Sequence, residues 1–182
     1  IFDDRTLIEK IKKFVGLLGF KISLRLNHKI FFQNPDNQDL FIQHKLVCHD
    51  SCVLINGSGV NLNLFPLTLL PDAPIFLCMS RLITSKGLLE YAESAKRIIA
   101  IEPNARFLLA GFPDDHLDSI DEHEIITSWY EKYGIEYLGA SDNPQLTISQ
   151  CSVYVLLSYN EGTPRSVLEA MSMGRPIVTT DV

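Results

Sequence analysis

Two hydrophobic periodicities divide the chain. Over residues 5–26 apolar side chains return every three or four positions, which predicts one long amphipathic helix whose opposite face is basic. A short strand over 29–34 and a short helix over 35–45, begun by Pro35 and Asp36, follow it. From about residue 51 the pattern changes to continuous apolar runs separated by stretches of helical period.

The apolar runs predict strands at 51–56, 73–80, 105–111, 135–139, 152–158 and 176–180, with helices at 86–101, 121–134, 144–150 and 164–173. Strands that are apolar throughout are typical of parallel sheets covered on both faces. The sequence therefore predicts a doubly wound, Rossmann-like α/β domain with right-handed crossovers over residues 51–182, and a separate preceding segment over residues 1–50. Residues 57–74 are predicted to be an irregular linker. Because the chain stops two residues after an apolar strand, without a helix to cover it, we expect this domain to be C-terminally incomplete.

Composition and charge narrow the class of protein. With 182 residues, 46% hydrophobic and 21% charged, the chain is globular, and its longest uncharged apolar stretch is too short to span a membrane. The net charge of −6 is uneven: residues 1–50 hold eight Lys and Arg against six acidic residues, whereas residues 51–182 hold eight against sixteen. An acidic body excludes nucleic acid as a general partner. Cys78 and Cys151 are expected in the core, and Cys48 and Cys52 lack the second pair that a zinc site needs, so the reducing cytosol is the expected compartment.

Ligands of open parallel sheets bind beyond the carboxyl ends of the strands, so the loops after the strands are where chemistry is expected. The loop after strand 73–80 carries Arg81 and Lys86 beside the start of a helix that Ser85 could cap. Two cations beside a helix N-terminus suit a phosphorylated ligand, although both could equally be solvated surface cations. The chain has neither a Walker phosphate loop nor a GxGxxG after a strand, which makes a nicotinamide-dependent oxidoreductase a weak alternative.

The loop after strand 152–158 carries the second group of candidates. Glu161 lies in the turn, Thr163 is predicted to cap the next helix, and Pro164 suits its first position. The N–H groups over 162–166 could hold a diphosphate. Glu169 lies inside the helix among apolar neighbours, where a carboxylate is costly unless it is paired. On spacing alone, both glutamates could also be solvent-exposed surface residues without a role in binding.

The run EGTPRSVLEAMSMGRPIVTTD (161–181) resembles the signature of the group 1 glycosyltransferases of family four, which have the GT-B fold. Their mark is two glutamates separated by seven residues, here Glu161 and Glu169, followed by EAM-x-x-G-x-P. The segments SRLITSKG, INGSGVNLNLF and ARFLLAG are similar to further segments of that family. KIFFQNPDNQDLF resembles the end of the acceptor-side domain in a subset that builds bacterial surface glycans, including transferases that add N-acetylhexosamine to undecaprenyl-diphosphate-linked sugars.

The resemblance implies transfer of a hexose or N-acetylhexosamine from a nucleotide sugar, expected to be a UDP-sugar, with retention of configuration and without a cofactor or metal. The chain has no Asp-x-Asp pair, and its one Glu-x-Glu, Glu122 and Glu124, is interpreted as a solvated helix face. Fixed cations and backbone dipoles would then stabilise the departing diphosphate. By resemblance, the catalytic group is Glu161, Arg81 and Lys86, and the donor-binding group is Glu169, Gly162, Thr163, Pro164, Arg165, Ser166 and Tyr137, with Tyr137 in the loop that contacts the base.

The resemblance also implies a partner and a place. The acceptor would be a glycan or a polyprenyl-diphosphate-linked sugar of bacterial surface polysaccharide, such as lipopolysaccharide or capsule, handled in the cytoplasm. Residues 1–50 would be the tail of the acceptor domain, and the basic helix 5–26 either touches anionic lipid of the inner membrane through Lys10, Lys12, Lys13 and Lys21 or is an ordinary amphipathic helix. The alternatives are a nucleotide-sugar-binding fragment and a GT-B sugar-nucleotide epimerase. We expect little transfer by residues 1–182 alone.

Overall fold

A computed structural model describes residues 7–115 and 118–182, and the chain divides into two units between Ser58 and Gly59. This division lies eight residues beyond the sequence-based boundary at 50/51. The reason is strand pairing: the strand at Cys52–Leu54, which the sequence analysis grouped with the α/β domain, pairs with a strand of the first unit.

The first unit holds α1 (Leu7–Leu24), β1 (Ile30–Phe32), α2 (Pro35–Gln43), a 3-10 turn (His49–Ser51) and β2 (Cys52–Leu54). The strands are parallel, in register from Ile30 opposite Cys52 to Phe32 opposite Leu54. Residues 5 and 6 of the predicted first helix lie outside the described residues. The cap of α2 is Asn34, whose side-chain oxygen accepts from the Asn37 N–H at 3.1 Å, with Pro35 in the first turn as predicted.

The second unit is built on a five-stranded parallel sheet, as the apolar runs predicted. Its strands lie side by side in the order β5-β4-β3-β6-β7. They are β3 (Ile75–Met79), β4 (Arg106–Ala110), β5 (Ile135–Tyr137), β6 (Val153–Leu156) and β7 (Ile177–Thr179). From β3 the chain adds β4 and β5 on one side and β6 and β7 on the other, so the winding direction reverses between β3 and β6.

Helices join the strands, close to the predicted positions. They are α3 (Leu88–Ile99), α4 (Glu122–Glu124), a π-helical turn (Ile125–Trp129), α5 (Tyr130–Tyr133), α6 (Pro144–Ser149) and α7 (Arg165–Ser172). The helix predicted over 121–134 thus contains a π turn, at which the Trp129 side chain becomes fully buried. Among the described residues, no helix is long and apolar enough to cross a lipid bilayer.

The sheet separates two apolar cores, as a doubly wound fold requires. Along β4, Phe107 and Leu109 enter the core that holds Trp129, whereas Leu108 and Ala110 enter the core on the opposite face. Cys78 and Cys151 are buried in the two cores, as predicted. Burial raises the pKa of the Cys78 thiol to about 12 and that of Cys151 to about 11, so both remain protonated at neutral pH.

The irregular linker is anchored by Arg175, a buried cation that the sequence analysis did not single out. Its side chain is part of a residue that is only 3% exposed, and it donates to the Thr68 carbonyl at 3.1 Å and to the Thr68 hydroxyl at 2.5 Å. It also donates to the Ile148 carbonyl at 3.3 Å and the Met173 carbonyl at 3.2 Å, at the ends of α6 and α7. A guanidinium with fixed acceptors on several sides holds the linker against the amino edge of the sheet.

Candidate functional site

The reversal of winding between β3 and β6 brings two loops together. In open α/β sheets this switch point forms a crevice at the carboxyl edge. The loop after β3 carries Lys86 and the loop after β6 carries Glu161; their Nζ and Oε1 atoms are 2.5 Å apart, with side chains only 16% and 18% exposed. The backbone N–H of Tyr159 donates to the Ser85 carbonyl at 3.0 Å, which ties the two loops together. The predicted residues Lys86 and Glu161 therefore form one mostly buried ion pair.

The position of Lys86 is fixed by the backbone around it. Lys86 ends a 3-10 turn (Thr84–Lys86) whose Ser85 N–H donates to the Asp118 carboxylate at 3.1 Å. Gly87 follows with φ 68°, and a Cβ there would overlap the Leu157 carbonyl at the end of β6. Gly87 also occupies the N-cap position of α3 without a side-chain cap, so the prediction that Ser85 caps this helix is wrong. The close approach of α3 to β6 admits only glycine at this turn.

Glu161 is oriented by a second buried donor. The Ser158 hydroxyl, which has no exposed surface, donates to the same Oε1 atom at 2.7 Å. Ser158 is itself positioned through its carbonyl, which accepts from the Thr180 hydroxyl at 2.5 Å. An ammonium and a hydroxyl on one carboxylate oxygen fix the direction of the side chain.

Glu169, the second glutamate of the motif, lies on α7 and is 6% exposed. Its Oε1 accepts from the Arg165 Nε at 3.0 Å, one turn earlier on the same helix. Desolvation raises the pKa of Glu169 above its usual range, and the Arg165 guanidinium partly offsets that rise. Glu169 thus has the partner that its apolar surroundings require.

The start of α7 differs from the prediction in one detail. Pro164 is the N-cap residue, in extended conformation, and no described side chain caps the helix there. The expectation that Thr163 caps α7 and that Pro164 takes its first position is therefore wrong. The helix begins directly after the Glu161–Gly162 turn, so its first backbone N–H groups lie at the carboxyl edge of the sheet.

A cavity of about 520 Å³ adjoins Glu169. Arg165 and Glu169 line one side, residues 143–145 at the start of α6 line another, and Leu64 and Phe65 of the linker complete it. A neighbouring cavity of about 310 Å³ is lined by residues 138–143, directly after β5. Both volumes lie in or near the range of small-molecule sites.

Two predicted residues have protein partners of their own. Arg81 is half exposed, and its guanidinium forms an ion pair with Asp114, in the loop after β4, at 2.6 Å. The Tyr137 hydroxyl donates to the Gly111 carbonyl at 2.8 Å and lies 2.6 Å from Glu122. Burial and the Glu122 carboxylate both raise the pKa of Tyr137. Glu122 therefore has a hydrogen-bond partner within the protein. The interpretation of Glu122 as a solvated residue of a helix face is wrong.

The residues that position the ion pair were missed by sequence reasoning. Asp118 and Ser158 carry no motif, and Asp118 acts across more than thirty residues of chain. For Ser158 the sequence did offer a signal, because it is a polar residue at the end of the otherwise apolar strand 152–158. The sequence offers no comparable signal for Asp118. Within the described ranges 7–115 and 118–182, no group of three or more His, Cys, Asp or Glu could hold a metal ion.

Comparisons with known proteins find one matching family model and two curated relatives. The model of the family described as "Glycosyl transferases group 1" matches residues 73–182. The chain is 31% identical, over 98% of its length, to an N,N'-diacetylbacillosaminyl-diphospho-undecaprenol alpha-1,3-N-acetylgalactosaminyltransferase of Campylobacter jejuni, of which it covers 49%. It is 30% identical, over 60% of its length, to an uncharacterized glycosyltransferase of Methanocaldococcus jannaschii, of which it covers 26%.

Solved structures share the fold at low identity. The Anabaena protein HepE, solved in complex with UDP-glucose, matches 91% of the chain with a TM-score of 0.69 and 18% identity. A glycosyltransferase from Rickettsia africae matches 90% with a TM-score of 0.67 and 17% identity. The GT-B architecture expected from the sequence is thereby confirmed. The chain spans about half the length of each of these two structures and of the Campylobacter relative.

Proposed function

This chain belongs to the group 1 glycosyl transferases, and from that premise we propose that its second unit binds the nucleotide-sugar donor of a retaining sugar transfer. The observation that carries the proposal is the mostly buried Lys86–Glu161 pair at the switch point of the sheet. A buried ion pair stabilises a fold poorly compared with apolar packing, so its presence in a crevice favours a role in binding. The proposed donor is a UDP-hexose or UDP-N-acetylhexosamine.

In this proposal the ion pair separates when the donor enters. The ammonium of Lys86, with the guanidinium of Arg81, turns to the diphosphate, whose negative charge grows as the glycosidic bond breaks. The carboxylate of Glu161 turns to the hydroxyls of the donor sugar, with Ser158 still holding one oxygen. Backbone groups from Gly162 to Ser166, at the start of α7, would complete the diphosphate site.

The nucleoside part of the donor would lie in the adjoining cavities. Glu169, held by Arg165, would accept hydrogen bonds from the ribose hydroxyls in the 520 Å³ cavity. The base would lie against residues 138–143 beyond β5. Because the hydroxyl of Tyr137 is engaged by Gly111 and Glu122, Tyr137 would support this loop from below and not contact the base through its hydroxyl.

The acceptor belongs to the proposal as well. The Campylobacter relative is named for a sugar linked through a diphosphate to undecaprenol, which supports a polyprenyl-diphosphate-linked acceptor for this chain. We place the reaction in the synthesis of bacterial surface glycans on the cytoplasmic face of the inner membrane, with α1 as the proposed contact to lipid. Since the chain spans about half of that relative, we expect it to bind a donor while transferring little sugar alone.

Calorimetric titration of the 182-residue chain with UDP, GDP and NAD tests the donor site. We expect a nucleoside diphosphate to bind and NAD not to bind. Lys86→Gln removes one charge-assisted contact and should weaken UDP binding roughly tenfold to hundredfold. Arg106→Gln is the matched control, because Arg106 is a surface cation paired with Glu136 away from the crevice. Binding of NAD without any nucleoside diphosphate, or an equal loss in both variants, would overturn the proposal.

A further inference from the structure

The first unit contains a cavity of about 550 Å³ whose lining has an apolar part and a basic part. Its apolar part includes Leu24 of α1 and Ile42 of α2, and its basic part consists of Lys21, Arg25 and Lys45. The volume lies within the usual range of ligand sites. Such a division suits a molecule with an anionic end and an apolar end.

The charges of the three cations are not matched by carboxylates among the described residues. Within the described part of the chain, none of Lys21, Arg25 and Lys45 forms an ion pair with a carboxylate. No acidic residue is among the described residues that line the cavity. Like charges gathered at one concave surface repel each other and raise the local concentration of anions.

The backbone of Lys45 supplies an independent observation. Lys45 has φ 54° and is the one non-glycine residue with positive φ among those described. It lies just after α2, where its N–H donates to the Ile42 carbonyl at 2.9 Å and the Leu46 N–H donates to the Phe41 carbonyl at 3.0 Å. This is the Schellman arrangement, whose left-handed position is usually glycine. The turn needs no side chain there, so a lysine retained in a strained conformation indicates a use for its ammonium group.

We propose that this cavity binds the diphosphate and the adjoining isoprenoid segment of a polyprenyl-diphosphate-linked acceptor. The inference rests on the proposed function, which supplies an acceptor of that class. The ammonium and guanidinium groups meet the phosphates, and the apolar lining meets the first part of the hydrocarbon chain. A flat anionic bilayer is a poorer fit, since these cations stand around a concavity with an apolar lining.

The test is calorimetric titration of the chain with farnesyl diphosphate while UDP is present in saturating amounts. UDP occupies the proposed diphosphate site of the second unit, so the heat reports the first unit. We expect farnesyl diphosphate to bind more tightly than either inorganic pyrophosphate or farnesol. Lys21→Gln and Arg25→Gln should each weaken binding about tenfold. Lys96→Gln, at an exposed lysine of α3 that does not line the cavity, should leave binding unchanged.

Lys45→Gly separates a structural role from a binding role. Removing the left-handed strain should raise the melting temperature by about 2–4 °C, while farnesyl diphosphate binding should weaken about tenfold. Lys45→Asn, which also tolerates this conformation, is the second variant and should weaken binding as well. Unchanged binding in both, or equal binding of pyrophosphate and farnesyl diphosphate, would overturn the inference.

Two further experiments distinguish failure of the proposed donor site from failure of the proposed acceptor cavity. Titration with UDP alone tests the donor site, so failure there, beside farnesyl diphosphate binding that depends on Lys45, refutes the donor site and retains this cavity. Co-sedimentation with phosphatidylglycerol vesicles tests the membrane alternative. We expect the wild-type chain and Lys45→Gly to sediment equally; loss of sedimentation in the variant would assign these cations to a bilayer surface and overturn the inference.

Discussion

Two largely buried cations at opposite edges of one sheet have different surroundings. Arg175, at the amino edge, is surrounded by neutral acceptors: its guanidinium reaches the Thr68 side chain and backbone carbonyls at the ends of α6 and α7. Lys86, at the carboxyl edge, faces the carboxylate of Glu161 across 2.5 Å. Helix C-termini carry partial negative charge, so the Arg175 site is compensated by groups that cannot leave.

The difference separates a structural cation from an exchangeable one. The hydrogen bonds that Arg175 donates to the linker and the two helices end on backbone carbonyls and the Thr68 hydroxyl, so the guanidinium joins these segments permanently. The partner of Lys86 is a side chain on another loop, and both can turn to a ligand of complementary charge. We therefore expect substitutions at the amino edge to change stability alone, and substitutions at the carboxyl edge to change ligand binding as well.

The largest expected effect is on stability, at Arg175. Arg175→Met leaves several buried carbonyls without donors and should lower the free energy of unfolding by about 3–5 kcal/mol. Urea unfolding followed by circular dichroism measures it. Arg106→Met is the control: Arg106 bonds to Glu136 at 2.8 and 2.6 Å but is half exposed, so its loss should be below about 1 kcal/mol. UDP binding by the folded Arg175→Met chain should be normal, and a matching loss of affinity would erase the contrast between the two edges.

Lys86→Met should have the next largest effect and should change two quantities. Leaving Glu161 without its ammonium should reduce the free energy of unfolding by about 2–3 kcal/mol, less than at Arg175 because the pair keeps some exposure. UDP binding should fall roughly tenfold to hundredfold. The double variant Lys86→Met, Glu161→Leu should recover most of the stability and none of the binding. Recovery of UDP affinity in the double variant would show that the pair is purely structural.

Ser158→Ala sharpens the comparison within the carboxyl edge. The substitution removes one buried donor to Glu161 and should cost about 1 kcal/mol of stability. Since Glu161 is proposed to hold the sugar and not the nucleotide, the affinity for UDP-N-acetylglucosamine should drop about fivefold while that for UDP stays unchanged. Parallel titrations with the two ligands distinguish this result from an equal loss of both, which would mean that Ser158 only supports the loop.

The smallest effect concerns Glu169 and pH. Because burial raises its pKa, the folded chain holds this proton more tightly than the unfolded chain, so stability falls as the pH rises from its usual pKa through the raised one. Glu169→Gln should remove that component of the pH dependence of unfolding. UDP affinity should decline as the pH falls through the same range, where the carboxylate gains a proton.

Arg165→Gln tests the same titration from the partner's side. Arg165 lowers the pKa of Glu169, so its loss should move the midpoint of the affinity–pH curve upward and reduce UDP affinity at neutral pH roughly two- to fivefold, a small change because Arg165 is largely exposed. Calorimetry at a series of pH values from about pH 4 upward follows the midpoint. A midpoint that stays in place would show that desolvation alone sets the titration.

The sequence predicted what depends on neighbouring residues. Continuous apolar runs located the five strands of the main sheet within a few residues, because a strand covered on both faces is apolar throughout. Placing Lys86 and Glu161 in loops after strands was enough to expect them together, since parallel strands end at one edge.

The sequence could not predict contacts between residues that lie far apart along the chain. Asp118 holds Ser85 across 33 residues, and Arg175 holds Thr68 across 107. The predicted cap at Ser85 was wrong because α3 starts against the end of β6, where Gly87 is required. The boundary at 50/51 differed from the structural one because the apolar pattern of strand 52–54 would fit a strand of either unit. Its pairing with β1 assigns it to the first unit.

The paired register of β3 and β6 involves two residue positions, Phe76 with Val153 and Leu77 with Tyr154, whereas β3 and β4 pair over five. The two loops that face the crevice follow these two strands, whose paired residues are 77 positions apart in the sequence. Two contacts nevertheless couple these loops: the Lys86–Glu161 ion pair and the hydrogen bond from the Tyr159 N–H to the Ser85 carbonyl. We therefore expect a replacement that displaces one loop to move the other, so that a redesigned ligand preference would require changes in both segments of the chain.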